Sequence, residues 1–356
     1  MKACGIITEY NPFHYGHEYH IAKTKELTSC DVIINVMSGH FVQRGEAAIA
    51  DKWIRARTAI EQGCDLVIEL PYAYALQSAS GFAQGAVRSL QLAQVQDIVF
   101  GSESNDIRQL QIHSKLALSN SKSSSPAASL SVSSNDILGI SYVREIAKTS
   151  IIPHTIQRTN TYHDTHLDQR IVSATAIRKA IYEGKDVTFY TPMANLLTTE
   201  FAMEQYYPYV QYLLLTMEEK LLADLFLMDE GIEHLMIRQA KLCHSMKEFI
   251  DNCISKRYTR AKIQRTIIHL LTQTKKTDID SLPTLSHIRL LAMKQNGRAY
   301  VKELKHSTVV IASRFNQIPK PYRDMELRVT SAYAAPLSIE KRLALLKQEL
   351  QPVMVI

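Results

Sequence analysis

The first hundred residues alternate between two kinds of apolar pattern. Cys4 to Thr8, Asp31 to Ser38, Asp65 to Leu70 and Asp97 to Phe100 are short continuous runs rich in Val and Ile, as expected of strands covered on both faces. Between them, His17 to Leu27, Asp51 to Gln62 and Ser80 to Leu92 have helical length, and each is preceded by turn chemistry. This βαβαβαβ order predicts an α/β fold built on a right-handed, doubly wound parallel sheet. Ligands of such sheets sit at the carboxyl ends of the strands. Gly5 to His17, Met37-Ser38-Gly39-His40 and Phe100-Gly101-Ser102-Glu103 all fall there.

Farther along, a helix is expected from Asp106 to about Leu118. The pattern then collapses, because 9 of the 16 residues from Ser119 to Ser134 are serine, the composition of a loop or a disordered stretch. Order resumes with a helix over Asp136 to Lys148, a fifth strand over Ile151 to Arg158, and a helix over Ser173 to Tyr182 with Ser173 as a candidate N-cap. From residue 187 the periodicity is almost wholly helical, as in Tyr209 to Met228 and Ile232 to Ile254. A boundary near 186 therefore divides an α/β domain, 1–186, from a mostly α-helical one, 187–356.

Composition narrows the class. A chain of 356 residues with 46% hydrophobic and 21% charged residues is long enough for two globular domains. No apolar run approaches the roughly 18 residues of a membrane helix, and Met1 to Glu9 is too short an apolar stretch for a secretory signal. A cytoplasmic protein with no membrane partner is expected. Cys4, Cys30, Cys64, Cys243 and Cys253 are odd in number and widely spaced, so they read as free thiols. The net charge of +6 is unevenly spread, with 16 Lys or Arg against 6 Asp or Glu over residues 251–330. A polyanion could dock there; charge alone fits a solubilising face equally well.

The strongest chemical element is Asn11-Pro12-Phe13-His14-Tyr15-Gly16-His17, which joins a buried strand to a helix start. Gly16 permits close backbone approach, the helix start offers N–H groups and a positive dipole end to phosphate, and His14 and His17 add donors. His14, His17 and His20, spaced three apart, also resemble a zinc set. Against zinc, Gly16 would have no role and no nearby carboxylate would support the ligands, so no metal site is assigned.

Together with Ser173-Ala174-Thr175-Ala176-Ile177-Arg178, the H-x-G-H element resembles the nucleotidyltransferase α/β-phosphodiesterase superfamily, which pairs the two motifs in that order. More narrowly, EYNPFHYGHEYH (9–20), VMSGHFVQRGE (36–46), DKW (51–53), GCDLVIELPY (63–72), FGSE (100–103), NDILGISY (135–142) and SATAIRKA (173–180) resemble the bacterial tRNA(Met) cytidine acetate ligase family. KRYTRAKIQR (256–265) and RLLAMKQNGR (289–298) extend the likeness more loosely into the second half.

The resemblance implies a two-step reaction. Acetate attacks the α-phosphate of ATP to give acetyl-adenylate and pyrophosphate, and N4 of the wobble cytidine of elongator tRNA(Met) then takes the acetyl group. It implies an ATP site on Ile7, Thr8, Glu9, Tyr10, Asn11, Pro12, Phe13, His14, Tyr15, Gly16, His17, Glu18, Tyr19 and His20, completed by Gly101, Asn135 and Arg178, with Mg²⁺ accompanying the nucleotide. His14, His17 and Arg178 would steady the phosphates and Gly101 would let a strand end approach adenine or ribose; no protein nucleophile is required. Two features depart from the family pattern: a short, serine-rich link from Glu103 to Asn135, and Asp136 where a second Asn is usual. A negative charge at Asp136 beside a triphosphate would be unfavourable unless screened.

Lys256, Arg257, Arg260, Lys262 and Arg265 read as one basic helix for the tRNA backbone, with Tyr258 available for stacking. Lys52 and Arg55, one turn apart, could face phosphate, tRNA or solvent, and Ser38 with Gly39 could shape an acetate pocket or merely turn the chain. Tyr162-His163-Asp164 could approach substrate or lie on the surface. A small-molecule adenylyl-forming enzyme of the same superfamily is the competing enzymatic reading, which the basic second half disfavours. An inactive RNA-binding relative is disfavoured by intact His14, Gly16, His17 and Arg178.

Overall fold

The computed structural model describes residues 1–119, 134–158, 170–304 and 308–356. The strands are β1 (Ala3–Thr8), β2 (Val32–Ser38), β3 (Phe41–Val42), β4 (Glu46–Ala47), β5 (Leu66–Leu70), β6 (Asp97–Ser102), β7 (Ile152–Gln157), β8 (His287–Met293), β9 (Val310–Ala312) and β10 (Met354–Val355). In the first half the helices are α1 (Tyr15–Thr28), α2 (Lys52–Glu61), α3 (Tyr72–Ala75), α4 (Ala79–Leu92), α5 (Ile107–Ser119), α6 (Ser134–Ile146) and α7 (Ala174–Tyr182). The second half adds α8 (Tyr207–Thr216), α9 (Glu219–Ala223), α10 (Ile232–Ala240), α11 (Met246–Cys253), α12 (Arg260–Leu271), α13 (Lys276–Asp280), α14 (Gln295–Leu304), α15 (Lys320–Ala334) and α16 (Ile339–Glu349).

Among the described residues the main sheet runs β10-β8-β5-β2-β1-β6-β7, with β9 added beside β8. β5, β2, β1, β6 and β7 are parallel, so the chain winds outward from β1 in both directions and reverses between β1 and β6. Apolar side chains alternate between two buried layers. Ile6, Ile33 and Val67 face α1, α2 and the helical segment, whereas Ile7, Ile34 and Ile68 face α4, α6 and α14. The five parallel strands expected from the sequence are all present, as is the Ser173 N-cap of α7; α2 is capped by Asp51.

Three features differ from expectation. The segment after 187 is not wholly helical: β8 lies antiparallel on β5 and brings residues 287–356 back onto the sheet. Tyr209 to Met228 and Ile232 to Ile254 each break into two helices, the second break being made where the Ser245 side chain caps α11 at Glu248 N. Lys52 and Arg55 face neither ligand nor solvent, since both are fully buried. Arg55 donates to the carbonyls of Ala50 (2.9 Å), Glu9 (2.6 Å), Ser38 (3.1 Å) and Gly39, clamping the ends of β1 and β2 together. Lys52 Nζ lies 2.7 Å from Glu69 and 2.9 Å from Glu349, and Arg289 reaches both carboxylates at 2.8 and 2.5 Å. A buried four-charge network thus ties α2, β5 and β8 to α16. No described helix is long and apolar enough to cross a membrane.

Candidate active site

The reversal between β1 and β6 opens a cleft of about 250 Å³ at the carboxyl ends of these strands, where the topology of such sheets places ligands. Of the residues expected at the ATP site, Ile7, Thr8, Glu9, Tyr10, Asn11, His14, Gly16, His17, Tyr19, His20, Gly101, Asn135 and Arg178 line it. Phe13 is instead buried in the core, Pro12 is also buried away from the lining, Tyr15 stacks with Arg170 at 4.2 Å, and Glu18 is exposed on the outer face of α1. Ser38 and Gly39 stay out of the cleft.

The H-x-G-H geometry is compact. His14 caps α1, its Nδ1 accepting the Gly16 N–H at 3.1 Å, while His17 Nδ1 accepts the His14 N–H at 3.2 Å; the two rings lie 3.9 Å apart. A side chain at Gly16 would put its Cβ 2.8 Å from His14 Cε1, so only glycine lets the imidazole fold over the helix start. Since both Nδ1 atoms accept, each proton resides on Nε2, an assignment made from the hydrogen-bond network. Burial, followed by the Arg158 charge, lowers the His14 pKa to about 3. Burial and the His14 charge hold His17 well below its ordinary range as well. The pair therefore offers neutral Nε2–H donors at neutral pH. The helix-start amides expected to serve a phosphate are partly spoken for, because the His17 N–H bonds the His14 carbonyl at 2.8 Å. His20 Nε2 pairs with the Val99 carbonyl at 3.1 Å, so the three imidazoles do not converge as a ligand set.

The distant partners arrive as anticipated in place but not in every contact. Arg178, held on α7 behind the Ser173 cap, donates to the Asn11 carbonyl (2.7 Å) and to Glu46 (3.0 Å). Asn135 bonds Glu103 at 2.7 Å. Asp136 presents no charge conflict: its carboxylate turns into the loop after β6, accepting from Ser102 Oγ (2.6 Å), Glu103 N (3.0 Å) and Ser104 N (3.1 Å). Asn135, rather than Asp136, lines the cleft.

Sequence reasoning overlooked Arg158 and Arg44, which also line the cleft. Arg158 follows directly on β7, and its position at the carboxyl end of a parallel strand was the available signal. Arg44 sits in the turn of the β3–β4 hairpin, which is too short to leave a periodic trace. Phe82, Phe100, Leu138, Tyr142 and Ile156 supply an apolar wall.

The basic segment is not one helix. Lys256 and Arg257 lie exposed in the bend between α11 and α12, Arg260 and Lys262 lie in the first turn of α12, and Arg265 is half-buried against the hairpin. Arg260 pairs with Asp251. Tyr258 cannot stack on a base, being buried with its hydroxyl donating to the Glu230 carbonyl at 2.6 Å.

The sequence matches the HIGH Nucleotidyl Transferase family over residues 1–130 and 113–348. It is 35% identical over 388 residues to the tRNA(Met) cytidine acetate ligase of Bacillus subtilis (strain 168), spanning 95% of this chain and 93% of that one. A second such ligase, from Oenococcus oeni, is 41% identical over 86% of this chain and 87% of its own. The chain belongs to the tRNA(Met) cytidine acetate ligase family. The fold agrees: Thermotoga maritima TmcAL bound with alpha-thio ATP superposes with a TM-score of 0.86 at 27% identity, covering all of both chains, and its apo form with 0.88 at 28%. In this acetate ligase family member His14, His17, Asn135 and Arg178 all line the one cleft at the sheet's reversal.

Proposed function

We propose that the protein is an ATP-dependent ligase that activates acetate as acetyl-adenylate and acetylates N4 of the wobble cytidine of elongator tRNA(Met). An acetate oxygen bonds the α-phosphorus as pyrophosphate leaves. The cytidine N4 then bonds the acetyl carbon, AMP departs with that oxygen, and N4 loses a proton. The convergence in one cleft of His14, His17, Gly101, Asn135 and Arg178, drawn from segments up to 164 residues apart, carries this reading.

The roles follow from the local chemistry. The Nε2–H groups of His14 and His17 donate to α-phosphate oxygens, whose charge grows as acetate attacks, without bringing a positive charge that acid or base would switch. Arg178, and Arg158 opposite, neutralise the pyrophosphate; Arg178 exchanges its Glu46 or Asn11 contact for phosphate oxygens. The apolar wall of Phe100, Leu138 and Tyr142 suits the adenine ring. The carboxylates at the rim are engaged, Glu9 by Ser38 and the Gln43 N–H and Glu46 by Arg178, so Mg²⁺ enters as the counter-ion of the triphosphate rather than at a protein-built site. Exposed Lys256 and Arg257, with Arg260 and Lys262, bind tRNA backbone on the helical part of the chain, and the reaction runs in the cytoplasm, where its tRNA is found.

Acetate-dependent exchange of labelled pyrophosphate into ATP, measured without tRNA, tests the first step. His17→Ala should lower exchange by roughly a hundredfold or more, the scale of one lost transition-state donor, while tRNA retention on filters is unchanged. Loss of tRNA retention with normal exchange would refute the assignment.

A further inference from the structure

Two carboxylates, Glu9 and Glu46, stand among the described residues that line the cleft. Glu46 is committed to Arg178 at 3.0 Å. Glu9, which follows directly on β1, is held differently. Its Oε1 accepts from Ser38 Oγ at 3.2 Å and from the Gln43 N–H at 2.6 Å, while Oε2 has no hydrogen-bond partner among the described residues. The backbone that carries it is fixed as well. Arg55 Nη1 donates to the carbonyls of both Glu9 (2.6 Å) and Ser38 (3.1 Å), and Tyr10 turns the chain at once in the left-handed region, with φ +49°. A bulky residue stays in that region only where its surroundings enforce it. The carboxylate is therefore oriented through one oxygen and left uncommitted at the other.

The second step of the ligase reaction leaves a task for such a group. Cytidine N4 must lose a proton as it bonds the acetyl carbon, and its lone pair is drawn into the ring, so its attack is weak until that proton is taken. His14 and His17 do not suit this task, because their Nδ1 atoms already accept amide N–H groups and Nε2 carries the proton. His20 pairs its Nε2 with the Val99 carbonyl, and burial weakens it as a base, to a pKa of about 4. Burial acts in the opposite sense on Glu9: it disfavours the anion and raises the carboxyl above its ordinary value, which strengthens the base. A carboxylate is also the acceptor that complements the exocyclic amine of cytosine.

Resting on the ligase reading above, we propose that Glu9 is the general base of acetyl transfer, its Oε2 accepting an N–H of the cytidine N4 amine and taking that proton. The N4 lone pair forms the bond to the acetyl carbon. The bond from that carbon to the adenylate oxygen breaks with its electron pair passing to AMP, and the proton ends on Oε2, from which it is lost to solvent.

The test supplies the full chain with acetyl-adenylate and elongator tRNA(Met), so that transfer is followed without activation, and reads the single-turnover rate against pH. Arg55 from α2, Glu46 from β4 and Tyr142 from α6 are the titratable and charged groups facing Glu9. Because the anion is the base, wild-type transfer should fall as pH drops through the raised Glu9 pKa. Glu9→Gln, of the same shape, should lower the transfer rate by roughly a hundredfold or more and remove this acid limb. Acetate-dependent pyrophosphate exchange, whose nucleophile is already an anion, should fall far less. Glu9→Asp, which keeps the carboxylate, should retain the limb at a reduced rate and guards against a merely structural loss. A parallel fall of exchange and transfer in Glu9→Gln would overturn the proposal, placing Glu9 on the nucleotide. Transfer that keeps its rate and its acid limb in Glu9→Gln would overturn it too, the proton then leaving through the adenylate phosphate. If wild-type protein transfers nothing from acetyl-adenylate to the tRNA, the ligase reading fails and takes this proposal with it.

Discussion

At the scale of single residues, the cleft depends on how three side-chain positions share one helix start. His14 folds over Gly16, and His17 reaches back to the His14 amide, so each imidazole orients the other and both present the same tautomer. Gly16→Ala should force the His14 ring aside, removing a cap contact worth about 1 kcal/mol and lowering pyrophosphate exchange by roughly a hundredfold. Exchange kinetics alongside thermal unfolding check this, and a variant that unfolds slightly earlier but exchanges normally would contradict it. The same crowding explains what the motif alone did not reveal. H-x-G-H announced phosphate chemistry, but the helix amides are partly consumed by the cap, so the imidazoles rather than the backbone offer the donors.

At the scale of elements, short pieces were the hardest to foresee. The parallel strands were legible because each is a continuous apolar run bounded by turns, and α1, α2 and α4 because their length and turn signals agree. The strand β8 was not, because seven apolar-rich residues among helices carry no period that separates a strand from a buried helix. The two-residue strands of the hairpin carry even less, although that hairpin holds Arg44 and Glu46 beside the cleft. Lys52 and Arg55 were misplaced because charge usually marks a surface, while their partners, Glu69, Glu349 and Arg289, are distant in sequence and become visible only in three dimensions. The network makes α16 integral to the sheet. Burial alone would raise the Glu349 carboxyl, but Lys52 and Arg289 together hold it well below the usual carboxylate range. Glu349→Ala should therefore leave two buried cations sharing Glu69 and cost about 3–5 kcal/mol, read from denaturant midpoints at constant m-value. A loss below about 1 kcal/mol would show that α16 is only loosely attached.

For the whole molecule, the helical segment shares a continuous core with one face of the sheet, and the β3–β4 hairpin lies between that segment and the cleft. β1, β6, β7 and α7 bring the cleft-lining groups to the topological reversal, while α12 packs against the β3–β4 hairpin that forms part of the cleft wall. The family likeness likewise spans nearly the full chain, covering both the sheet and the helical segment. The decisive measurement follows labelled acetate, ATP and elongator tRNA(Met) with the purified protein, analysing nucleotides and digested tRNA together. AMP should accumulate over many turnovers in step with N4-acetylcytidine, and only when acetate and tRNA are both present. AMP formed with label passing to a small amine, and none to the tRNA, would contradict the account.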